Sequence, residues 1–168
     1  MADLSESLIK ISKDVHQFSR RLHPSILEEL GLLDAIRYEC NMVKAQGDIR
    51  LTIRYGNLPD NLPKELQLCL YRVAQESLRN MAKHSRASEG EIVLSADAES
   101  IRLQVNDNGV GLTATRDREQ PGLGLIAMEE RVLLVGGSIE ITSHAGPGTC
   151  IDVRLPLAVD EPEPPETS

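Results

Sequence analysis

Five short runs alternate apolar and polar residues with a period of two, and they restrict the fold more than any other feature of the chain. They are IRLTIRY (49–55), EIVLSADA (91–98), SIRLQVND (100–107), GSIEITSHA (137–145) and GTCIDVRLP (148–156). A strand patterned this way buries one face and leaves the other wet, so something must cover the buried face. The second and third runs are close enough to pair as a hairpin, and the last two are joined by a turn containing Gly-Pro-Gly. Helix-rich sequence comes first and strands dominate later. That order predicts an α+β fold with helices over one face of a sheet.

The helical stretches have their own punctuation. Leu4, Leu8, Ile11, Val15, Phe18 and Leu22 follow one another at steps of 4, 3, 4, 3 and 4. Such a narrow seam predicts a bundle helix rather than a helix docked on its own domain, ended or redirected by Pro24. SILE at Ser25–Glu28 has a capping-box pattern and opens a helix to about Ala45, with Gly47 as its stop. GNLPDNLP (56–63) is turn material, and a long helix is expected from Pro63 to about Ser85. A polar loop, LTATRDREQP (112–121), leads to a helix expected at about 123–135. The acidic, proline-rich DEPEPPETS at the end should be disordered, and no internal repeat is evident.

Composition bounds the chemistry. With no Trp and a single Phe, the core must be aliphatic. A net charge of −8 repels a polyanion, which excludes nucleic acid as the main partner but leaves a local nucleotide site possible. Cys40, Cys69 and Cys150 lie far apart in apolar patterns without a CxxC pair, the expected form of buried reduced thiols. No apolar run approaches the ~20 residues of a membrane span and no signal peptide opens the chain. A cytoplasmic location is expected, with a membrane anchor still open for a longer parent.

QESLRNMAKH (75–84) is the first stretch that carries chemistry. At about 100° per residue Glu76 and Asn80 lie about 40° apart, with Arg72 and Lys83 in the same arc. Leu70, Ala74, Leu78 and Met81 fall opposite. A solvated charged face would explain the arc, but it does not call for Asn in mid-helix. An amide oxygen beside a carboxylate and a base suits a hard cation with phosphate, since Mg²⁺ takes oxygen ligands and keeps several waters. DNGVGL (107–112) ends a strand and forms a turn by itself, yet its second glycine goes beyond what a turn needs. Backbone there could approach a flat ligand while Asp107 accepts from an exocyclic amine. PGLGLIAMEERV (121–132) places two glycines at a helix start, where N–H groups suit phosphate. A charged loop rather than a strand precedes it, so the dinucleotide fingerprint does not apply, and no Walker sequence occurs. GPGT (146–149) alone is only a hairpin turn.

As an ordered set, these motifs resemble the ATP-binding domain of sensor histidine kinases, within the superfamily that includes gyrase B, MutL and the heat-shock chaperone ATPases. QESLRNMAKH resembles the asparagine box; DNGVGL, GLGL and GPGT resemble the successive glycine boxes, over roughly residues 30–156. RRLHPSILEELGLLDAI (20–36) and the short loop at 112–121 further resemble the subfamily of nitrate/nitrite and desaturase sensors. The resemblance implies a two-layer sandwich of one mixed sheet and three helices, with ATP and Mg²⁺ as cofactors. Asn80 would coordinate Mg²⁺, Glu76 would orient a metal-bound water, and Lys83 and His84 would lie near the phosphates. Asp107 would bind the adenine amine, with Gly109 and Gly111 shaping the purine pocket. Gly122 and Gly124 would hinge a lid and offer N–H groups to phosphate, Leu125 would lie beside them at the nucleotide, and Thr149 would reach adenine through water. A homodimeric parent kinase and a response regulator as partner are implied too.

One departure stands out. The family's phosphate acceptor is a histidine followed by an acid, whereas His16, His23, His84 and His144 precede Gln, Pro, Ser and Ala. The expected organisation is therefore a second bundle helix at 1–24, an ATP-binding domain at 25–157 and a tail at 158–168, with the acceptor on a helix absent from this chain. A serine kinase of the anti-sigma type and an interaction module that has lost its nucleotide are the competing readings.

Overall fold

In the computed structural model of the protein, residues 25–111, 123–143 and 148–157 are described. The heptad seam, the polar loop with Gly122, the tip of the Gly-Pro-Gly turn and the acidic tail lie outside the described residues.

The chain runs α1 (Ser25–Lys44), β1 (Arg50–Gly56), α2 (Lys64–Asn80) with a π-helical turn at Met81–Ser85, β2 (Glu89–Ala96), β3 (Ser100–Asp107), α3 (Leu123–Leu134), β4 (Ser138–Thr142) and β5 (Thr149–Pro156). The five strands form one mixed sheet in the order β1-β2-β3-β5-β4. β1 and β2 are parallel and α2 is the crossover between them, as a parallel pair requires. β2–β3, β3–β5 and β5–β4 are antiparallel, and the expected hairpin at 91–107 is one of these pairs. This is the α+β arrangement that the strand alternation calls for.

Alternation decides which face is covered. Ile92, Leu94, Ile101, Leu103, Val153 and Leu155 are fully buried on the helix-facing side, where α2 packs on β3 and β5. Each fully buried aliphatic side chain of this size contributes roughly 1.5–3 kcal/mol, and together they make the sheet's inner face the core. From α2 the same core receives Leu70, Val73, Ala74 and Leu78, the arc opposite the polar one. Val132 enters it from α3, and Ile36 from α1.

Four expectations need correction. Residues 25–44 are two helical pieces joined at Gly31, whose φ of 75° and ψ of 172° break the helix. The stretch at 63–85 begins after Pro63, which caps it with φ −51° and ψ 139°, and its last turn is π rather than α. The core is not wholly aliphatic, since Tyr71 is 2 % exposed. Its hydroxyl donates to Glu39 Oε1 at 2.5 Å, which lets a phenol be buried without an unpaired polar atom. Cys40 and Cys69 are buried thiols, whereas Cys150 is only half-buried, because it sits on the outer face of β5.

Candidate functional site

Successive rows across the inner face of the sheet change character toward one end. Tyr55, Leu94, Leu103 and Val153 form one row, and Ile53, Ile92, Val105 and Ile151 the next. The row beyond reads Leu51, Gly90, Asp107 and Thr149. Across β2, β3 and β5 the aliphatic packing therefore ends in a glycine, an acid and a hydroxyl that face the same layer as the core. Met81 of the π turn occupies the space over Gly90, where a methyl group would meet its Sδ and Cε. Asp107 and Thr149 are direct cross-strand partners, with Cβ atoms about 5 Å apart in such a pair.

The loop after β3 is held from three sides. Gly109 N donates to Asp107 Oδ1 at 2.7 Å, and Val110 N donates to the carbonyl of Ser85 at 2.7 Å. Asn108 Oδ1 accepts from the backbone N–H groups of Ser88 and Glu89, both at 3.0 Å. Only glycine fits at 109, because any Cβ would collide with the carbonyl of Ser85 and with Asp107 itself. Gly148, at φ 136°, presses equally closely on the carbonyl of Asp107. Asp107 thus spends one carboxylate oxygen on its own loop, and Oδ2 has no donor among the described residues.

The π turn joins this loop to α2. Ser85 Oγ donates to Met81 O at 2.7 Å and accepts from Ala87 N at 3.0 Å, so the turn is closed by its own serine. A single π turn at a helix end recurs at functional sites, because the inserted residue re-aims the side chains beyond it. Glu76 and Asn80 stay on regular α-helix and are half-buried, while Lys83 and His84 lie in the re-aimed turn and are exposed. The even 100° arc therefore holds for Glu76 and Asn80 and does not extend to Lys83. Asn80 makes no side-chain hydrogen bond among the described residues, which marks it as available to a ligand. Glu76 Oε2 accepts from Arg79 at 3.0 Å, and α3 begins against the other oxygen, since a methyl group on Gly124 would strike Oε1. Leu125 packs partly buried against the core one residue further on.

Charge around α2 follows its burial. Arg72, beside the site on the same helix, has its pKa lowered chiefly by desolvation, and it donates to Gln75 Oε1 at 2.8 Å. Gln75 in turn donates to Glu39 Oε1 at 2.7 Å, which ties α2 to α1. Burial also pushes the Tyr71 hydroxyl well above its ordinary value and the thiols of Cys40 and Cys69 up to about 11. No group of three or more His, Cys, Asp or Glu converges among the described residues. Any divalent cation here would take most of its ligands from phosphate and water. One amide oxygen with a nearby carboxylate fits that donor set.

Of the expected site residues, Asp107, Gly109, Gly111 and Thr149 gather at one end of the sandwich, and Gly124 meets Glu76 one turn before Asn80. Gly111 has a φ of 71°, the backbone freedom that a second glycine supplies. Gly122 lies outside the described residues. Sequence reasoning missed Gly148, Ser85 and Arg79. The first was visible inside GPGT, whereas the other two make local contacts, to Met81 and Glu76, whose setting beside the β3 loop and α3 is not visible in the sequence.

This sandwich is the fold of histidine kinase domains. It superposes on the Acinetobacter baumannii histidine kinase AdeS with a TM-score of 0.61 at 16% identity, covering 92% of this chain and 84% of that one. It also superposes on the histidine kinase domain of the Erythrobacter litoralis EL346 blue-light activated histidine kinase, with a TM-score of 0.56 at 21% identity over 73% of this chain and 61% of that one. Residues 65–159 match the family of histidine kinase-, DNA gyrase B- and HSP90-like ATPases, and the chain belongs to that family. Its relatives include the sensor histidine kinase MctS of Rhizobium johnstonii, 32% identical over 94% of this chain and 34% of that protein. The oxygen sensor histidine kinase NreB of Staphylococcus carnosus is 31% identical over 88% of this chain and 43% of its own length. The chain thus spans less than half the length of these two relatives.

Proposed function

We propose that this chain is the ATP-binding catalytic domain of a two-component sensor histidine kinase and passes the γ-phosphate of ATP to a histidine on a bundle helix. The observation that carries this reading is the half-buried Asp107 at the polar end of the inner face. It is bracketed by Gly109 and Gly148, is in register with Thr149, and has one oxygen unspent among the described residues. An acid in that setting recognises the exocyclic amine of a purine and discriminates strongly against a base without one, because its buried acceptor would then go unpaired.

Asn80 would hold Mg²⁺ through its amide oxygen with Glu76 orienting a water beside it, and the bound ion would neutralise charge on the phosphates. Lys83 and His84 of the π turn, together with the N–H groups around Gly122 and Gly124, would meet the phosphate oxygens. In the transfer, the acceptor imidazole nitrogen forms the new P–N bond as the bond from the γ-phosphorus to the bridging oxygen breaks. ADP leaves with that electron pair, and the other imidazole nitrogen gives up its proton to solvent water. The chain's own task is positioning and charge complementarity. A cytoplasmic site of action, a homodimeric parent and a response regulator as the next acceptor complete the proposal. The similarity to MctS and NreB supports it.

Calorimetric titration with a non-hydrolysable ATP analogue tests the base site. Asp107→Ala should weaken binding by about a hundredfold, and retention of wild-type affinity would remove the assignment. Incubation with ATP and a histidine-bearing bundle peptide then tests the acceptor. The phosphate should be lost in acid, as phosphohistidine is and phosphoserine is not.

A further inference from the structure

The two carboxylate oxygens of Glu76 lie against different neighbours. Oε2 accepts from the guanidinium of Arg79, one turn along α2, at 3.0 Å. Oε1 lies against the start of α3, where a methyl group on Gly124 would meet it and the Glu76 side chain would have to shift. The Glu76 side chain is 23 % exposed and that of Arg79 is 54 % exposed, so the pair spans the boundary between the site and solvent. Arg72, the other arginine on this face, is engaged with Gln75 instead. Arg79 is also the residue immediately before Asn80.

As a contribution to stability, an i,i+3 pair exposed to this degree is worth little. Its consequence is orientational. Glu76 has three side-chain torsions, and with Oε2 on Arg79 the oxygen turned toward the start of α3 is Oε1. Outer-shell partners of this kind fix which oxygen is offered and in what direction. We propose that Arg79 is a positioning residue for the metal-dependent step: it acts through Glu76, holding Oε1 toward the water or ion that Asn80 shares, without itself touching nucleotide. This rests on the kinase reading above.

The test uses the full chain and compares affinity for a non-hydrolysable ATP analogue in excess Mg²⁺ with affinity in EDTA. Arg79→Met should cut the Mg²⁺ enhancement by about tenfold and leave the metal-free affinity unchanged. Arg79→Lys, which can still pair with a carboxylate, should recover part of it. In a Glu76→Gln background, Arg79→Met should have no further effect. An unchanged enhancement in Arg79→Met would overturn the inference, as would an undiminished Arg79→Met effect in the Glu76→Gln background, which would mean that the arginine reaches the phosphates directly. Arg79 is exposed, so the melting temperature should stay at the wild-type value. A wild-type chain that binds no nucleotide would instead defeat the kinase reading itself.

Discussion

Asp107 and Asp152 lie on neighbouring antiparallel strands and meet opposite fates. Asp152 is on the outer face of β5, where Arg102 grips both of its oxygens, one of them at 2.8 Å from Nε, and Gln104 Nε2 adds a third hydrogen bond at 3.2 Å. Asp107, on the inner face at the end of β3, has no cation against it among the described residues and one backbone donor. The outer carboxylate is satisfied by the fold. The inner one is only half satisfied, and two glycines pack closely on it, Gly109 against its carboxylate and Gly148 against its backbone carbonyl. A polar group held rigidly but left short of partners is where a ligand belongs.

The largest effect should come from disturbing that close approach. Gly148→Ala would drive a methyl group into the carbonyl of Asp107 at a backbone angle that L-residues rarely adopt, at a cost of ~3 kcal/mol. Thermal melting should fall by roughly 10 °C. Gly47→Ala is the control, because nothing lies within 4 Å of the position, and it should move stability by less than about 0.5 kcal/mol. Equal melting temperatures for the two variants would mean that the close approach around Asp107 is not a requirement of the fold.

Next in size is Asn80→Ala. The carboxamide is half-buried without a partner among the described residues, so its removal should cost little stability. Affinity for the ATP analogue in Mg²⁺ should drop about tenfold, while affinity in EDTA stays within about twofold. A loss of equal size in both conditions would assign Asn80 to the nucleotide rather than to the metal.

How far these contrasts could be read from the sequence depends on the range of the interactions. Alternation gave the strands, and the apolar arc of Leu70, Ala74 and Leu78 gave the buried side of α2, because both patterns are local. Asp107 was found because its glycines follow within four residues. The kink at Gly31 was missed, since a glycine inside a helical pattern is silent until its φ is known. Arg79 carries no signal of its own in the sequence, because what distinguishes it is that α3 lies on the other side of its partner Glu76. Tyr71 was missed because its partner Glu39 is 32 residues away on another helix.

The smallest predicted effect tests the satisfied half of the comparison. The hydrogen bond from Arg102 holds the Asp152 carboxyl below its ordinary value, so in the folded chain it stays ionised to a lower pH than in the unfolded one. A depressed folded pKa contributes stability that is present above the unfolded value of about 3.9 and is lost as pH falls through the folded value. Arg102→Gln removes the cause. Unfolding free energies of the wild type and the variant from urea titration should therefore differ at pH 7, by at most ~1 kcal/mol given the 37 % exposure of Arg102, and converge as pH falls below the unfolded carboxylate value. Asp97 is also held low, by the backbone N–H groups of Glu99 and Ser100, but it is unaltered in the variant and cancels from the difference. A gap that stays constant with pH would mean that Arg102 acts by packing alone, and Asp152 would no longer stand as the satisfied counterpart of Asp107.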